Sequence, residues 1–290
     1  MTVSYNSAAT TDLPFYVAED QGFFKNEGIN VKLVSMQPAV AITALSKGEI
    51  DMMNSDSNSV EGATKGLPFK IVWDSWSGAA WTIVGKSTIT APEQLKGKII
   101  ATNNPGTAPY AYMLAGLKKA GLTINDVQYV PTAGTAPVYA SIIAGKVDAG
   151  VLSTPSDGQA EEQGFREILF LGDLLELPAN GLSTTSSYIA QHRQTVVGMI
   201  RGMWNAEQWI KANPEGTQQV LIKHLEVSPP VAKRTYDRMA PLLTKTGESS
   251  AEGIRNDLDL LEQANQTKYT MDPATFGDYG PLHEAVPSLK

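Results

Sequence analysis

The 290-residue chain contains no cysteine. This absence excludes disulfide bonds, zinc–thiolate sites and a cysteine nucleophile. It fits a cytosolic protein, and it also fits a bacterial periplasmic protein that does without disulfides. The motifs G-x-x-x-x-G-K-[ST], G-x-G-x-x-G after a strand and G-x-S-x-G are missing as well. The sequence therefore offers no phosphate-binding loop, dinucleotide fingerprint or hydrolase elbow, and we predict no cofactor.

Histidine and arginine are scarce in the first half of the chain. The three histidines, His192, His224 and His283, lie towards the C-terminus without metal-ligand spacing, so we predict packing or surface roles and no metal site. Arginine is absent before Arg166. An anion bound by the first half would therefore rely on helix N-termini and hydroxyl groups. The net charge of -7 argues against a nucleic-acid partner.

Long apolar runs are also missing, since none approaches the roughly 20 residues that a membrane-spanning helix needs. No secretory leader precedes Val3. We therefore expect either a cytoplasmic protein or one that begins at its mature end with an added methionine. The length suits one large domain or two of about 100–150 residues each. With 42% hydrophobic residues, the chain can bury a substantial core.

One stretch of the sequence, residues 42–57, has an echo at residues 141–154. Each copy ends a helical apolar pattern in a glycine, which predicts a left-handed helix cap. A short strand with an aspartate follows, and then a serine beside another helix start. The corresponding residues of the two copies are Gly48 and Gly145, Asp51 and Asp148, and Ser55 and Ser153. A unit used twice predicts two similar α/β lobes, with the two serines facing each other and the two aspartates in structural roles.

Short apolar runs alternate with helical patterns up to residue 171, which is typical of an α/β fold with a largely parallel sheet. The predicted strands are 3–5, 31–36, 50–54, 70–73, 99–102, 127–130, 149–152 and 168–171. From Ser187 onwards the pattern is helical, and we expect this tail to pack on one lobe. We predict one lobe from residues 1–84 and 185–290 and a second from residues 85–184. The connections between the lobes are predicted at residues 82–85 and 181–184.

Candidate binding residues follow the predicted strands, because ligands of open α/β sheets bind outside the carboxyl ends of the strands. Trp73, Trp76 and Trp81 lie close together after one strand. Burial in the core is the alternative for each of them, and we expect Trp76 to stack on a ligand. Tyr16 and Tyr110 begin two helices and can also face the cleft. Four aspartates in these loops either cap helices or meet N–H groups or a cationic ligand; they are Asp12, Asp56, Asp74 and Asp157.

The run PFYVAEDQGFFKNEGINV at residues 14–31 resembles the opening of substrate-binding proteins of the NMT1/THI5-like group. That group includes receptors of ABC importers for nitrate, taurine, alkanesulfonates and thiamine pyrimidines. The two G-x-[IV]-D segments at Gly48 and Gly145 are similar to it too. So are PEQLKGKIIA at residues 92–101, with Glu93-Gln94 where an aspartate is usual, and AGLTINDV at residues 120–127. The resemblance runs from about Leu13 to Phe165.

This resemblance implies a type II periplasmic-binding-protein fold, in which two hinged α/β lobes close over one small ligand. It implies a monomer that works in the periplasm, or as an extracytoplasmic lipoprotein, and docks on the transmembrane subunits of an ABC permease. Ligand-binding residues are expected in the loops after the strands of both lobes. They are Ser7, Thr10, Thr11, Asp12, Tyr16, Ser55, Asp56, Ser57, Asp74, Trp76, Gly106, Thr107, Tyr110, Thr135, Ser153, Thr154 and Asp157.

Other functions stay open at this point. An enzyme on the same fold, similar to those of the menaquinone pathway, would need a base in the cleft, where only aspartates are on offer. The fungal pyrimidine synthase of this group depends on cysteines and a histidine, which the first half lacks. The effector domain of a regulator would normally follow a helix-turn-helix. The ligand itself is either a neutral or nitrogen-bearing ring, such as a pyrimidine or its precursor, or a small sulfonate, nitrate or aromatic acid.

Overall fold

The computed structural model describes residues 1–6 and 9–289. In chain order, the strands are β1 (Thr2–Tyr5), β2 (Lys32–Ser35), β3 (Met52–Met53), β4 (Phe69–Asp74), β5 (Trp81–Gly85), β6 (Ile99–Asn103), β7 (Gln128–Thr132), β8 (Ala149–Ser153), β9 (Arg166–Phe170) and β10 (Gly181–Thr185). The helices of the α/β part are α1 (Leu13–Asp20), α2 (Phe23–Asn26), α3 (Pro38–Lys47), α4 (Asp56–Thr64), α5 (Ala108–Lys119), α6 (Thr135–Ile143) and α7 (Ser156–Glu162). The helices of the tail are α8 (Ser186–Gln191), α9 (Arg193–Ala212), α10 (Pro214–Leu225), α11 (Pro229–Met239), α12 (Ala251–Asn265) and α13 (Gly280–Ala285).

The strands form two five-stranded sheets with the same internal plan. The first has the order β2-β1-β3-β10-β4, and the second has the order β7-β6-β8-β5-β9. In the first, β1 is parallel to β2 and β3, and β10 runs antiparallel to β3 and β4. In the second, β6 is parallel to β7 and β8, and β5 runs antiparallel to β8 and β9. The two echoed segments thus supply the central strands β3 and β8, which confirms the predicted two-lobe α/β fold. Each sheet is mixed, because one strand runs against the other four, so the prediction of a largely parallel sheet holds for strand direction and fails for half of the strand pairs.

Two aspartates hold the same strand pair in each sheet. Asp51 Oδ2 accepts a hydrogen bond of 2.6 Å from the backbone N–H of Thr2, the first residue of β1. Asp148 Oδ2 accepts one of 3.0 Å from the N–H of Ile99, the first residue of β6. Both bonds pair a backbone N–H group at the start of a strand. Leaving such a buried donor unpaired would cost free energy. The structural role predicted for both aspartates is confirmed.

The two predicted helix caps also match. Gly48 has φ +71° at the end of α3, and Gly145 has φ +67° just past the end of α6. Both values are left-handed, and glycine adopts them without the strain that a Cβ would add. Each chain then turns directly into the strand that carries the paired aspartate.

The connections between the lobes lie at residues 75–80 and 171–180, and the prediction for them was wrong. Residues 82–85 belong to β5, which pairs with β8 and β9 in the second sheet. Residues 181–184 belong to β10, which pairs with β3 and β4 in the first. A segment that crosses between lobes and a strand within a sheet can have the same extended sequence pattern. Only pairing with strands distant in sequence distinguishes the two. We therefore propose lobe boundaries within these two connections instead of at residues 84/85 and 184/185.

The helical tail packs mainly on the first lobe, as expected. In α9 the apolar residues at helical spacing, Met199, Met203, Ala206 and Ile210, are all buried in one core with helix α1 and strand β4. Burying each large apolar side chain contributes about 1.5–3 kcal/mol. Helix α12 departs from this plan, because its Leu260 packs into the core of the second lobe. This helix therefore spans both lobes along one side of the space between them. Within the residues described, no helix is both long enough and apolar enough to cross a membrane.

Candidate functional site

Three neighbouring cavities lie between the two sheets and share lining residues. The central cavity, about 200 Å³, is lined by Thr10, Thr11, Ala80, Trp81, Ser153 and Thr154 among others. The Thr135 cavity, about 430 Å³, is lined by Thr135, Tyr139, Ser153, Thr154 and Gln159 among others. The Asp257 cavity, about 320 Å³, is lined by Asn6, Ser55, Ser57, Trp81, Asn180 and Asp257 among others. Together they form the cleft, which receives side chains from both lobes, from the connections and from α12.

The two lobes touch directly at the centre of this cleft. Thr10 Oγ1 donates a hydrogen bond of 2.8 Å to the backbone carbonyl of Thr154. Thr154 Oγ1 in turn lies 3.3 Å from Thr10 Oγ1, to which it donates. Both threonines are buried by this contact. A separation of the lobes would break both bonds, so these two residues report on the opening of the cleft.

Asp12 supports the loop that carries Thr10 and Thr11. Its Oδ1 accepts hydrogen bonds from the amides of Asn54 at 2.7 Å and Asn180 at 3.1 Å, and its Oδ2 accepts one from the N–H of Ala9 at 2.9 Å. Burial raises the pKa of Asp12 to about 7, and these donors offset part of the effect. Its side chain is buried beneath the cleft and does not line any of the three cavities. Asp12 therefore holds the binding loop in place.

Tyr16 is also part of this support. Its ring stacks on His224 of the tail with a centroid separation of 4.3 Å and an angle of 7°. Its hydroxyl lies 3.4 Å from Asp12 Oδ2, and burial together with the Asp12 charge raises the pKa of the tyrosine. Tyr16, which we expected to reach the cleft, lines none of the three cavities, because its ring is covered by the tail.

Asp56 and Asp74 form a buried acid pair beside the cleft. Asp74 accepts hydrogen bonds from the N–H of Trp76 at 3.1 Å and from the hydroxyl of Ser249 at 2.7 Å. Asp56 Oδ1 accepts one from Ser183 at 2.9 Å, and its Oδ2 has no other donor. Burial and the Asp74 charge raise the pKa of Asp56 well above its ordinary value, and burial raises that of Asp74 to about 6. Asp56 therefore holds the proton. Neither residue lines the three cavities of the cleft, whereas Asp74 lines a separate cavity of about 160 Å³. Contact of either residue with a ligand stays a prediction.

Asp157 is buried at the corresponding place of the second lobe. Its Oδ2 accepts a hydrogen bond of 3.1 Å from Thr82 and lies 3.3 Å from Nη2 of Arg234 on α11. Its Oδ1 accepts one of 2.8 Å from the N–H of Gly158. Burial raises the pKa of Asp157, and the Arg234 charge opposes this rise. Asp157, which we expected at the ligand, lines none of the three cavities, because its carboxylate is fully enclosed by protein groups.

The three tryptophans differ in how much of each indole is exposed. Trp76 is fully buried, and its indole N–H donates to the backbone carbonyl of Thr11 at 2.9 Å. Trp73 is also fully buried and donates to Ser75 and Glu207. Trp81 is only half-buried and lines both the central cavity and the Asp257 cavity. Trp76 lines a separate cavity of about 160 Å³, and Trp81 is the indole that lines the cleft. Contact of Trp76 with a ligand stays a prediction.

The loop before α5 contributes less than expected. Gly106 packs on the tail, since a Cβ there would lie 2.9 Å from the Cβ of Ala264. Thr107 Oγ1 donates to the carbonyl of Asn104 at 2.7 Å, and the ring of Tyr110 packs on Tyr129. None of these three lines the cleft, whereas Ala108 and Tyr112 of the same helix do.

The cleft thus brings together seven of the expected residues: Thr10, Thr11, Ser55, Ser57, Thr135, Ser153 and Thr154. Ser7 lies outside the described residues. Sequence reasoning missed Trp81, Asn6, Asn58, Asn180, Tyr139, Gln159 and Asp257. Trp81 had a signal in its cluster of tryptophans, and Asn58 lies just past the Ser55 loop. Asp257 had none, because it comes from a tail helix about 200 residues away in sequence.

Hydroxyl, amide and indole groups dominate the chemistry of the cleft. None of the residues described as lining the three cavities is lysine, arginine or histidine. Over the described part of the chain, no three His, Asp or Glu side chains are placed to hold a metal ion. Such a lining can bind a small polar ligand through neutral hydrogen bonds and an aromatic face.

Comparisons with known proteins agree with this geometry. A family model described as "NMT1/THI5 like" matches residues 9–217. The taurine-binding periplasmic protein of Escherichia coli is 27% identical over 225 residues, which are 74% of this chain and 68% of that protein. The riboflavin-binding protein RibY of Chloroflexus aurantiacus is 24% identical over 215 residues, which are 70% of this chain and only 59% of that protein.

A solved structure shares the fold over nearly the whole chain. The periplasmic aliphatic sulphonate binding protein SsuA of Escherichia coli superposes with a TM-score of 0.78 at 20% identity, covering 95% of this chain and 96% of that one. At this identity the likeness shows the fold alone. It confirms the predicted periplasmic-binding-protein fold of type II.

Proposed function

Because the chain belongs to the NMT1/THI5-like family, we propose that it is the solute-binding receptor of an ABC importer. It captures one small ligand between its two lobes and delivers it to a membrane permease. The observation that carries this proposal is the cleft, which is lined from both lobes and crossed by the Thr10–Thr154 contact. A ligand that bridges the lobes favours the closed arrangement by its contacts to both sides.

The ligand would be held by neutral groups on both sides. From the first lobe, the hydroxyls of Thr11, Ser55 and Ser57 line the cleft, and from the second those of Thr135 and Ser153 do so. Thr10 and Thr154 can also bind the ligand if it replaces the two hydrogen bonds that they make with each other. The half-buried face of Trp81 suits a flat or apolar part of the ligand. A small polar molecule, a heterocycle or a sulfonate fits this description.

We propose that the protein works outside the cytoplasmic membrane, in the periplasm or as a lipoprotein anchored there. The name of the taurine-binding relative supports this location. The partners would be the ligand and the transmembrane subunits of a permease, which receive the protein as a monomer. Membrane fractionation of the native protein, with detection of an attached lipid by mass spectrometry, tests the location.

The binding function is tested by thermal shift and isothermal titration against sulfonates, nitrate, pyrimidines, flavins and aromatic acids. We expect one class to raise the Tm and to bind with one ligand per chain. Trp81→Ala should weaken that binding by about 1–3 kcal/mol if the ring stacks on the ligand. The matched control is Trp209→Ala, since Trp209 lies on α9 outside the cleft. Equal loss in both variants, or no binder in any class, would contradict the proposal.

We propose further that the protein is not an enzyme. Its named relatives are binding proteins. An enzyme would need a general base at the cleft, and Asp257 is the one carboxylate among the described lining residues. If a ligand found by titration were converted to product at a rate abolished by Asp257→Asn, the receptor proposal would give way to catalysis.

A further inference from the structure

Asp257 is the one ionisable side chain with a formal charge that faces the cleft among the described lining residues. It lies on α12, the tail helix that spans both lobes, and it lines the Asp257 cavity. The residue is 6% exposed. Its position in a cavity of about 320 Å³, shared with Trp81 and Asn180, places a carboxylate where a ligand would lie.

The hydrogen-bonding capacity of this carboxylate is only partly used by the described part of the protein. Asp257 Oδ2 is buried and has no hydrogen-bond partner among the described residues. The neighbouring hydroxyl of Ser57 donates to the carbonyl of Pro178 at 2.9 Å, and it also lies close enough to Asp257 to lower the pKa of that carboxyl group. A buried acceptor without a donor is destabilising, because it has lost its hydrogen bonds to water. A group that enters the cavity with N–H donors would remove this penalty.

The electrostatics around Asp257 also favour a donor. Burial raises the pKa of Asp257 to about 7; the Ser57 hydroxyl lowers it slightly, and the charge of Glu61 adds to the rise. Above that pH the carboxylate is ionised with no basic side chain among the described cavity residues to balance it. An anionic group placed beside it would meet like charge at low dielectric. A metal ion is a poor match, because one carboxylate without further charged ligands does not make a cation cage.

Resting on the receptor function given above, we propose that the Asp257 cavity binds the nitrogen-bearing end of the ligand. That end is an organic cation or an N–H-rich heterocycle, whose N–H groups donate to Asp257 while its flat part lies on Trp81. The tail thereby contributes the group that selects between ligand classes. Ligands that are purely anionic, such as nitrate or a simple alkanesulfonate, are disfavoured at this position.

The experiment compares ligands of equal shape and different charge on two variants. Benzamidine, benzamide and benzoate share one ring, and taurine and ethanesulfonate differ by an amine; nitrate and a series of amines and aminopyrimidines complete the panel. Wild type, Asp257→Asn and Asp259→Asn are titrated at pH 8. Asp259 is the matched control, because it lies on the same helix with an exposed side chain paired to Arg255. We expect a nitrogen compound to bind best, and D257N alone to weaken it at least tenfold.

The outcomes distinguish a failure of this assignment from a failure of the receptor function. If a purely anionic compound binds best, or if D257N binds the best nitrogen compound as tightly as wild type does, the inference fails and the receptor function stands. If no compound binds wild type, both fail. A thermal melt without ligand guards against misfolding: D257N should melt no lower than wild type at pH 8. A clearly lower Tm would show that Asp257 has a structural partner, which also overturns the inference.

Discussion

The helices that follow β3 and β8 each carry an aspartate in their first turn, but one of these carboxyl groups lies against an acid and the other against a base. Asp56 and Asp157 are both fully buried. Each accepts a hydroxyl hydrogen bond from the antiparallel strand beside it, from Ser183 of β10 at 2.9 Å and from Thr82 of β5 at 3.1 Å. The repeated unit therefore fixes the place of the carboxyl group and its first hydrogen bond in both lobes.

The difference comes from what packs on each unit. Asp56 faces another acid, Asp74, whereas Asp157 faces Arg234 of the tail. Arg234 also pairs with Glu161 at 2.9 Å and Glu167 at 2.8 Å, so α11 of the tail is tied to the second lobe by charge. The same local structure thus holds a neutral acid in one lobe and an ion pair in the other. Neighbours distant in sequence decide the protonation state.

Asp157→Asn should have the largest effect on stability. It keeps the size of the side chain, but its amide places N–H donors against Arg234 and Thr82 and leaves the arginine with one acceptor fewer. Folding raises the pKa of Asp157, so ionisation of this group costs some stability at pH 8. The lost acceptor outweighs this cost, and we expect a net loss of about 2–4 kcal/mol in the free energy of unfolding. Urea unfolding at pH 8 measures it, with Asp56→Asn as the matched substitution in the other lobe. If D157N unfolds like wild type, Glu161 and Glu167 alone satisfy Arg234.

Asp56→Asn should change stability in the opposite direction. A carboxyl group whose pKa is raised by folding stabilises fully below its unfolded pKa, near 3.8, and this contribution is lost as the pH rises through the folded value. An amide carries no such penalty, so D56N should gain about 1–3 kcal/mol over wild type at pH 8. The gain should be smaller at pH 5. A variant less stable than wild type at pH 8 would mean that Asp56 is ionised and paired.

Asp148→Asn tests the second pair of equivalent aspartates. The N–H of Ile99 and the ammonium of Lys86 hold the pKa of Asp148 below its ordinary value. Its contribution is therefore present above pH 4 and lost as the pH falls through the folded pKa, opposite in sign to that of Asp56. We expect a loss of about 1 kcal/mol at pH 7, because the group is partly exposed. Asp51→Asn, at the same strand position, is the control and should cost about as much through its bond to Thr2.

Gly48→Ala and Gly145→Ala should have the smallest effects, and these should be equal. Both glycines have left-handed φ values, and a Cβ at either would meet nothing within 4 Å. The cost is then that of the backbone alone, about 1 kcal/mol in each lobe. Thermal unfolding of the two variants measures it. A difference well above about 0.5 kcal/mol would show that the two caps are not equivalent.

Much of the fold could be predicted because its signals are local. The glycine caps and the strand aspartates each depend on a few neighbouring residues, and the structure has Gly48 and Gly145 in left-handed conformations at two helix ends as expected. The lobe connections could not be placed in this way. Strands β5 and β10 look like crossings until their partners in the sheets are known.

The binding residues were harder to predict, because exposure is a property of the assembled lobes. Trp76 and Trp81 are five residues apart in the same loop region, yet one is fully buried under Thr11 and the other opens to two cavities. The Ser55 and Ser153 loops do line the cleft, as the repeat suggested. Their contact with a ligand stays a prediction.

By itself, the sequence determined that two similar units build two lobes, where their central strands and caps lie, and that metal or cysteine chemistry is not expected. These features follow from backbone conformation and hydrogen bonds between near neighbours. Only the tertiary structure decided which tryptophan faces the cleft and that Asp257 of the tail lines it. The tertiary structure also decided which aspartate pairs with an arginine and which lies against another acid. Burial and charge pairing here depend on residues from 18 positions apart, for Asp56 and Asp74, to about 200 positions apart, for Ser57 and Asp257, and no local pattern encodes that proximity.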